Sequence, residues 1–409
     1  MSIITLFNGT FCNEEPIIRG VLEKTENKLI TDRDIATHAS NLSNMAVNKI
    51  TRAFSAKTSV FNKFTHEKER STAYLKLATA EKLSDVNCLF AGFVSHLIPK
   101  EISHALRICL IADMKDRVSN AVKKQGLSEN NALKLIHQQD EDSAAWVHAF
   151  GNTDFPWDPS LYDIVIPTNK ISIDSAVDLI NENFISNVVK PTAVSKQAIA
   201  DFLTAARAEV ALINEGHNVV VNAKGGSVIL TINKHVLMLS RLENELKSIV
   251  LNIPGINSVE TRVGKDFHQA DIYRKVNLEK PSKVLLVDDE REFVQALSER
   301  LLMRDMGSAV AYDGESALHM VKEEEPEVMI LDLKMPGIDG LEVLQRVKAS
   351  NPEIEIIILT GHGSEADKKI CMDLGAFAYL QKPFDIDELS ATIKKANEKI
   401  RLQKGNHNP

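Results

Sequence analysis

Between residues 283 and 382 five short apolar runs (KVLLVDD, SAVAY, EVMILDL, IEIIILTG and AFAYLQK) alternate with helical patterns. The runs are continuously apolar, so each strand is expected to be buried on both faces. A parallel sheet covered by helices is the architecture that asks this of its strands. The intervening segments agree: REFVQALSERLL places Val294, Leu297 and Leu301 on one helical face, and LEVLQRVKAS does the same with Leu341, Leu344 and Val347. In folds of this kind ligands collect at the carboxyl ends of the strands.

What stands at those ends is charged. Asp288, Asp289 and Glu290 follow the first run, Asp332 closes the third, Thr360 the fourth and Lys382 the fifth. A buried VMIL strand has no packing use for Asp332. Three carboxylates at one edge repel each other, and apolar surroundings raise their pKa values. A hard divalent cation such as Mg2+ relieves this, because it takes carboxylate and carbonyl oxygens and keeps several waters. A lysine and a hydroxyl beside that cup can hold phosphoryl oxygens. The set suits a carboxylate nucleophile that accepts a phosphoryl group while cations neutralise the charge. Each residue alone has a plainer role: Asp288 or Asp289 as helix caps, Lys382 as a surface lysine, Thr360 as a turn residue. Five together at successive strand ends favour the site.

The motifs VLLVDDE, MILDLKMPGIDGLEVL, IILTGHGS and AYLQKPFDIDEL resemble the receiver domain of two-component response regulators. The resemblance implies a doubly wound, five-stranded parallel, flavodoxin-like α/β domain over residues 281–402. It implies Asp332 as the phosphoacceptor and Asp289 as a direct Mg2+ ligand. Asp288 would hold the metal largely through water, and the backbone carbonyl of Lys334 would complete the metal site with Asp332. Thr360 would hydrogen-bond the phosphoryl group, Lys382 would pair with it, and the Lys382–Pro383 bond would be cis. Tyr379 would rotate with Thr360 as a switch, against a plainer reading as a half-buried aromatic. Lys334 and His362, two residues beyond Asp332 and Thr360, would influence the lifetime of the acyl phosphate. The implied partners are a sensor histidine kinase or histidine phosphotransfer protein, and a downstream protein engaging the face around residues 364–380; a homodimer is also compatible.

The chain begins differently. After the strand SIITLF comes NGTFCNEEPII, with one glycine, no lysine and two acidic residues where a nucleotide-binding loop would cradle phosphates. That is the wrong electrostatic sign for a triphosphate. Further on, TDRDI, the helix bearing Arg117, GLSENNALKLI, Asp140 and PSLYDIVIPTNKIS resemble the cytidylate kinase-like family. The resemblance implies a three-layer nucleoside-monophosphate-kinase-like fold with a helical lid over residues 1–190. Three features depart from the family: the phosphate loop is replaced, Ser143 of DEDSA stands at the lid arginine, and Phe93 stands where the family has Gly-Arg. Phosphoryl transfer depends on positioned cations, so the expectation is a pseudokinase with a sensory, binding or docking role. Arg33, Arg107 and Arg117 remain, and salt-bridged or surface roles are favoured for them over anion binding. The alternative is a receiver-regulated cytidylate or nucleotide kinase.

Residues 191–264 read as a helix followed by a small ββαβ module, HNVVVNAKGGSVILTINKH, VLMLSRLENELKSIV and PGINSVETRV, which resembles a BON-type module and suits docking or dimerisation. Residues 265–280 are polar and read as a linker. A net charge of −8 speaks against a broad nucleic-acid surface, and there is no helix-turn-helix with a basic recognition helix. The four cysteines are scattered, as for reduced thiols. No apolar run nears the ~20 residues of a membrane span, and the opening residues lack a signal-peptide pattern. A cytoplasmic location is therefore expected.

Overall fold

The computed structural model describes residues 3–84, 87–151, 153–236, 238–268, 283–361 and 364–405. It divides into two compact units, one of Met1–Thr58 with Glu67–Arg274, the other of Ser59–His66 with Lys275–Pro409. Most of the expected linker, and His362, lie outside the described residues.

In the first unit, β1 (Ile3–Asn8), β2 (Lys28–Thr31), β3 (Cys88–Ala91), β4 (Ala105–Ile111) and β5 (Ile164–Pro167) form a fully parallel sheet in the order β2-β3-β1-β4-β5. Central β1 has five of its six residues buried, as a strand covered on both faces must. Ile4 and Leu6 enter one face with Ile17 and Val21 of helix Glu14–Thr25 and Val177 and Ile180 of helix Ile173–Phe184. These two helices approach so closely that a Cβ on Gly20 would lie 2.7 Å from Val177 Cγ2. The other face packs Ile3 against Ile35, Leu75 and Ala78 and, from helix Ala193–Asn214, Ile199 and Phe202. Helices on both faces of one sheet give the three-layer α/β fold expected of this region.

Helix Ala193–Asn214 opens on a Thr192–Ser195 capping box and is shared between two cores. Its later residues Ala208 and Leu212 join Val228, Leu230 and Ile232 under a three-stranded sheet. That sheet comprises β6 (Val220–Lys224), β7 (Ser227–Ile232) and β8 (Ser258–Val263), with helix Leu239–Leu251 between β7 and β8. The β6–β7 pair is antiparallel and β7–β8 parallel, matching the ββαβ order read from the sequence. Gly225 and Gly226 take φ of +57° and +84°, the left-handed pair that a tight two-residue hairpin requires.

The second unit carries β9 (Val284–Val287), β10 (Ser308–Ala311), β11 (Val328–Leu331), β12 (Glu355–Thr360) and β13 (Ala378–Gln381). They form a parallel sheet in the order β10-β9-β11-β12-β13. Every residue of β9, β11 and β12 is buried. Alternate residues feed two layers. Leu285, Val287, Met329 and Leu331 meet Val343, Leu344 and Val347 on one side. Val284, Leu286 and Ile330 meet Val294, Leu297, Leu389 and Ile393 on the other. Each such side chain contributes ~1.5–3 kcal/mol by leaving water. This is the doubly wound, flavodoxin-like architecture that the receiver resemblance implies, with the parallel sheet anticipated from the apolar runs.

Candidate functional site

Strand register brings the charged residues of the second unit together. Val287 pairs with Leu331, so Asp288 and Asp332, each one residue further on, leave the sheet side by side. Thr360 pairs with Gln381, which sets Lys382 just beyond Thr360 on the neighbouring strand. The strand ends are fixed by close packing: a Cβ on Gly340 would stand 2.0 Å from the Asp332 carbonyl oxygen, so only glycine lets helix Gly340–Ser350 start there.

Asp288 and Asp332 are 4% and 6% exposed, an unusual burial for carboxylates that demands partners. The Lys382 ammonium donates to Asp288 Oδ2 at 2.6 Å and lies 3.8 Å from Asp332 Oδ1 and 3.6 Å from Glu290 Oε1. Asp288 Oδ1 accepts from the Glu290 amide at 2.9 Å, and Asp332 Oδ2 from the Lys334 amide at 2.8 Å. The Thr360 hydroxyl hydrogen-bonds Asp332 from a position 1% exposed. Burial pushes the Asp332 carboxyl above the usual aspartate range against the pull of Lys382, and the Asp288 charge adds to the rise. Burial works against the Lys382 charge, yet the hydrogen bond and charge of Asp288, with Asp332 and Glu290, hold its pKa above the ordinary lysine value.

Asp289 stands apart, exposed to solvent. Among the described residues no three His, Cys, Asp or Glu side chains stand close enough together to hold a metal ion. Asp288 is turned onto Lys382, and Asp289 stays in solvent. The donor set nevertheless fits a hard divalent ion. It offers the oxygens of Asp288, Asp289 and Asp332 with the Lys334 carbonyl, and one lysine leaves the two buried carboxylates with net negative charge. Tyr379 is half-buried on edge strand β13, its hydroxyl buried without a hydrogen-bond partner among the described residues, and burial raises its pKa. The Lys382–Pro383 bond is cis. Sequence reasoning missed Phe293, whose ring centroid lies 4.1 Å from Lys382 Nζ; an aromatic on the helix after Asp288–Glu290 was the available signal.

The corresponding edge of the first unit is filled. The loop after β1 keeps left-handed backbone at Phe11 and Asn13, φ 63° and 57°, without the glycines that would make it easy. Phe11 and Cys12 are buried there, and burial pushes the Cys12 thiol up to about 12. Glu14 and Glu15 occupy the first turn of the helix that follows, where its amide dipoles would otherwise favour an anion. Arg117 is committed: its Nη atoms donate to both Asp140 oxygens at 2.8 and 2.6 Å, and its Nε to the Thr10 carbonyl at 2.9 Å. Arg107 donates to the carbonyls of Ala105, Pro99 and Ile102. Ser143 donates inward to the Gln139 carbonyl, and Phe93 stacks on Phe54 with centroids 5.2 Å apart. Asp32 accepts from the Phe93 and Val94 amides, and burial raises its pKa to about 6. A cavity of ≈330 Å3 remains beside Thr5, His96, Arg107, Phe150 and Tyr162. His96 there is neutral, its pKa driven down to about 3 by burial. A neutral imidazole and a guanidinium already spent on carbonyls make a poor phosphate site.

Comparisons with known proteins find a family model in each part of the chain. Residues 284–394 match the model of the response regulator receiver domain, and residues 12–170 that of the cytidylate kinase-like family. Among solved structures, a response regulator receiver domain protein from Clostridium thermocellum is 32% identical, with 30% of this chain and 98% of that chain covered and a TM-score of 0.29. The receiver domain of the Francisella response regulator 1452 is 30% identical, with 29% and 98% covered and a TM-score of 0.28. The receiver domain of NtrX from Brucella abortus is 29% identical, with 28% and 98% covered and a TM-score of 0.27. The chain carries a response regulator receiver domain in its C-terminal part and a cytidylate kinase-like domain in its N-terminal part.

Proposed function

We propose that this protein acts in two-component signalling, taking a phosphoryl group on Asp332 from a histidine kinase or a histidine phosphotransfer protein in a Mg2+-dependent reaction. The observation that carries this reading is the register that sets Asp332 beside Asp288, Thr360 and Lys382 at one strand edge. Asp332 Oδ2 is tied to the Lys334 amide, which leaves Oδ1, on the lysine side, as the attacking oxygen. The new O–P bond forms as the P–N bond of the donor phosphohistidine breaks; the electron pair leaves on the imidazole, which takes up a proton. Lys382 follows the charge onto the phosphoryl oxygens, and the Thr360 hydroxyl becomes their donor. Bound Mg2+, held by Asp289, Asp288, Asp332 and the Lys334 carbonyl, supplies further neutralisation of the phosphoryl oxygens. Tyr379 serves as the switch that follows Thr360, altering partner or intramolecular contacts. The kinase-like domain is a pseudokinase in this reading, supported by the commitments of Arg117 and Arg107. We place the protein in the cytoplasm, where histidine kinases present their phosphoryl groups; among the described residues no helix is long and apolar enough to cross a membrane. Acetyl phosphate with Mg2+ should add one phosphoryl mass to the intact chain and none to Asp332→Asn. An unmodified wild type, or an equally modified variant, would remove the assignment.

A further inference from the structure

Lys382 is held by more than carboxylates. Its Nζ lies 2.6 Å from Asp288 Oδ2 and 4.1 Å from the centroid of the Phe293 ring. Phe293 sits in the first turn of helix Arg291–Leu302 and is braced edge-on by Phe384, the centroids 6.2 Å apart and the planes at 89°. Phe384 is two residues beyond Lys382, so the turn that carries the lysine also steadies the ring beside it. Phe293 lines the small cavity under the site together with Asp288, Asp332 and Leu359.

This arrangement bears on how Mg2+ and Lys382 share the site. The ammonium occupies a carboxylate oxygen of Asp288, one of the groups assigned to Mg2+, so the ion and the lysine compete for it. The lysine must still remain within reach of Asp332 to meet the phosphoryl group. An aromatic face attracts an ammonium through its quadrupole, and it offers a hard divalent ion no oxygen. Phe293 is therefore a seat for the lysine that the metal does not contest. While Lys382 rests on Asp288 its charge is already met by carboxylates. Once the ion neutralises those carboxylates, the ring and the solvent-exposed Glu290 carboxylate are the attractions that remain. We propose that Phe293 is a positioning residue for Lys382, holding the ammonium at the site while Mg2+ takes the carboxylates.

The inference rests on the Mg2+ reading of the site, and the test separates the two. Mg2+ is titrated calorimetrically into the full-length chain, counting the binding that Asp289→Asn removes. Phe293→Leu keeps an apolar side chain and loses the π face; Phe293→Tyr keeps the face. The expected result is Mg2+ binding weakened roughly three- to tenfold in Phe293→Leu and changed by less than about twofold in Phe293→Tyr. In a Lys382→Ala background Phe293→Leu should have no effect, because no ammonium is left to seat. Unchanged binding in Phe293→Leu, an equal loss in both aromatic-site variants, or the same loss with and without Lys382 would overturn the inference. A wild-type chain with no Mg2+ binding would overturn the metal reading, and the inference with it.

Discussion

At the carboxyl edge of β9, β11 and β13 two buried aspartates share one lysine. At the carboxyl edge of β1, β2 and β4, by contrast, Arg117 and Asp32 are already engaged inside the fold. Asp332 Oδ1 has the Lys382 ammonium no closer than 3.8 Å. Arg117 has its guanidinium closed onto Asp140 and the Thr10 carbonyl, and Asp32 has both oxygens on backbone amides. Both sheets are five-stranded and parallel, so both carry the topological address at which ligands gather. The difference teaches that the address is not the activity. What decides is how the charges at the edge are committed, and in this chain the receiver sheet holds two buried carboxylates on one lysine.

The largest effect expected from disturbing this contrast is at Lys382. Lys382→Met should slow phosphoryl transfer from acetyl phosphate on the order of 100-fold, the scale of losing one preorganised charge partner. It should also leave Asp288 buried without its cation, costing about 2 kcal/mol in a denaturant titration. Next is Arg117→Met, which strands Asp140. It should destabilise the first unit by about 3 kcal/mol while leaving the rate of Asp332 phosphorylation unchanged. A fall in that rate would mean that the first edge takes part in the phosphoryl chemistry, and the contrast would fail.

The smallest effect has the opposite sign. Asp332 titrates above its ordinary value in the folded state because it is buried beside Asp288. Its contribution to stability is therefore fully present below the unfolded value and is lost as pH rises through the folded one. Asp332→Asn should raise stability at neutral pH by about 1 kcal/mol, with the gain vanishing at about pH 3, where the Asp332 carboxyl is protonated in the folded and the unfolded chain alike. Thermal unfolding across that range checks the sign. A loss of stability at neutral pH would show that Asp332 is a structural anion for Lys382 and Thr360 rather than a held-in-reserve nucleophile.

Much of the receiver unit was legible in the sequence. Continuous apolar runs specify strands buried on two faces, and a charge placed after such a run must emerge at the edge, so Asp288, Asp332, Thr360 and Lys382 could be named before any coordinate. Their state could not. That Lys382 rests on Asp288 and against Phe293 depends on side chains 94 positions apart meeting across β9 and β13, and no local pattern encodes which partner a flexible lysine chooses. In the first unit the missing cations at Phe93 and Ser143 were readable as absences. The filling was not: Phe11 in left-handed backbone, Cys12 buried beneath it and Arg117 locked to Asp140 are tertiary facts. Helix Ala193–Asn214 shows the same limit, because its one apolar stripe serves two different cores and its sequence marks no division between them.

The central claim is that phosphoryl chemistry in this chain belongs to one edge alone. Full-length protein exposed to acetyl phosphate, and separately to ATP with CMP, each with Mg2+, can be quenched with borohydride, which reduces an aspartyl phosphate to homoserine, and then mapped by peptide mass spectrometry. The expected result is homoserine at position 332 after acetyl phosphate and no conversion of CMP to CDP. An unreduced Asp332, or CDP formation that depends on residues of the first unit, would contradict the account.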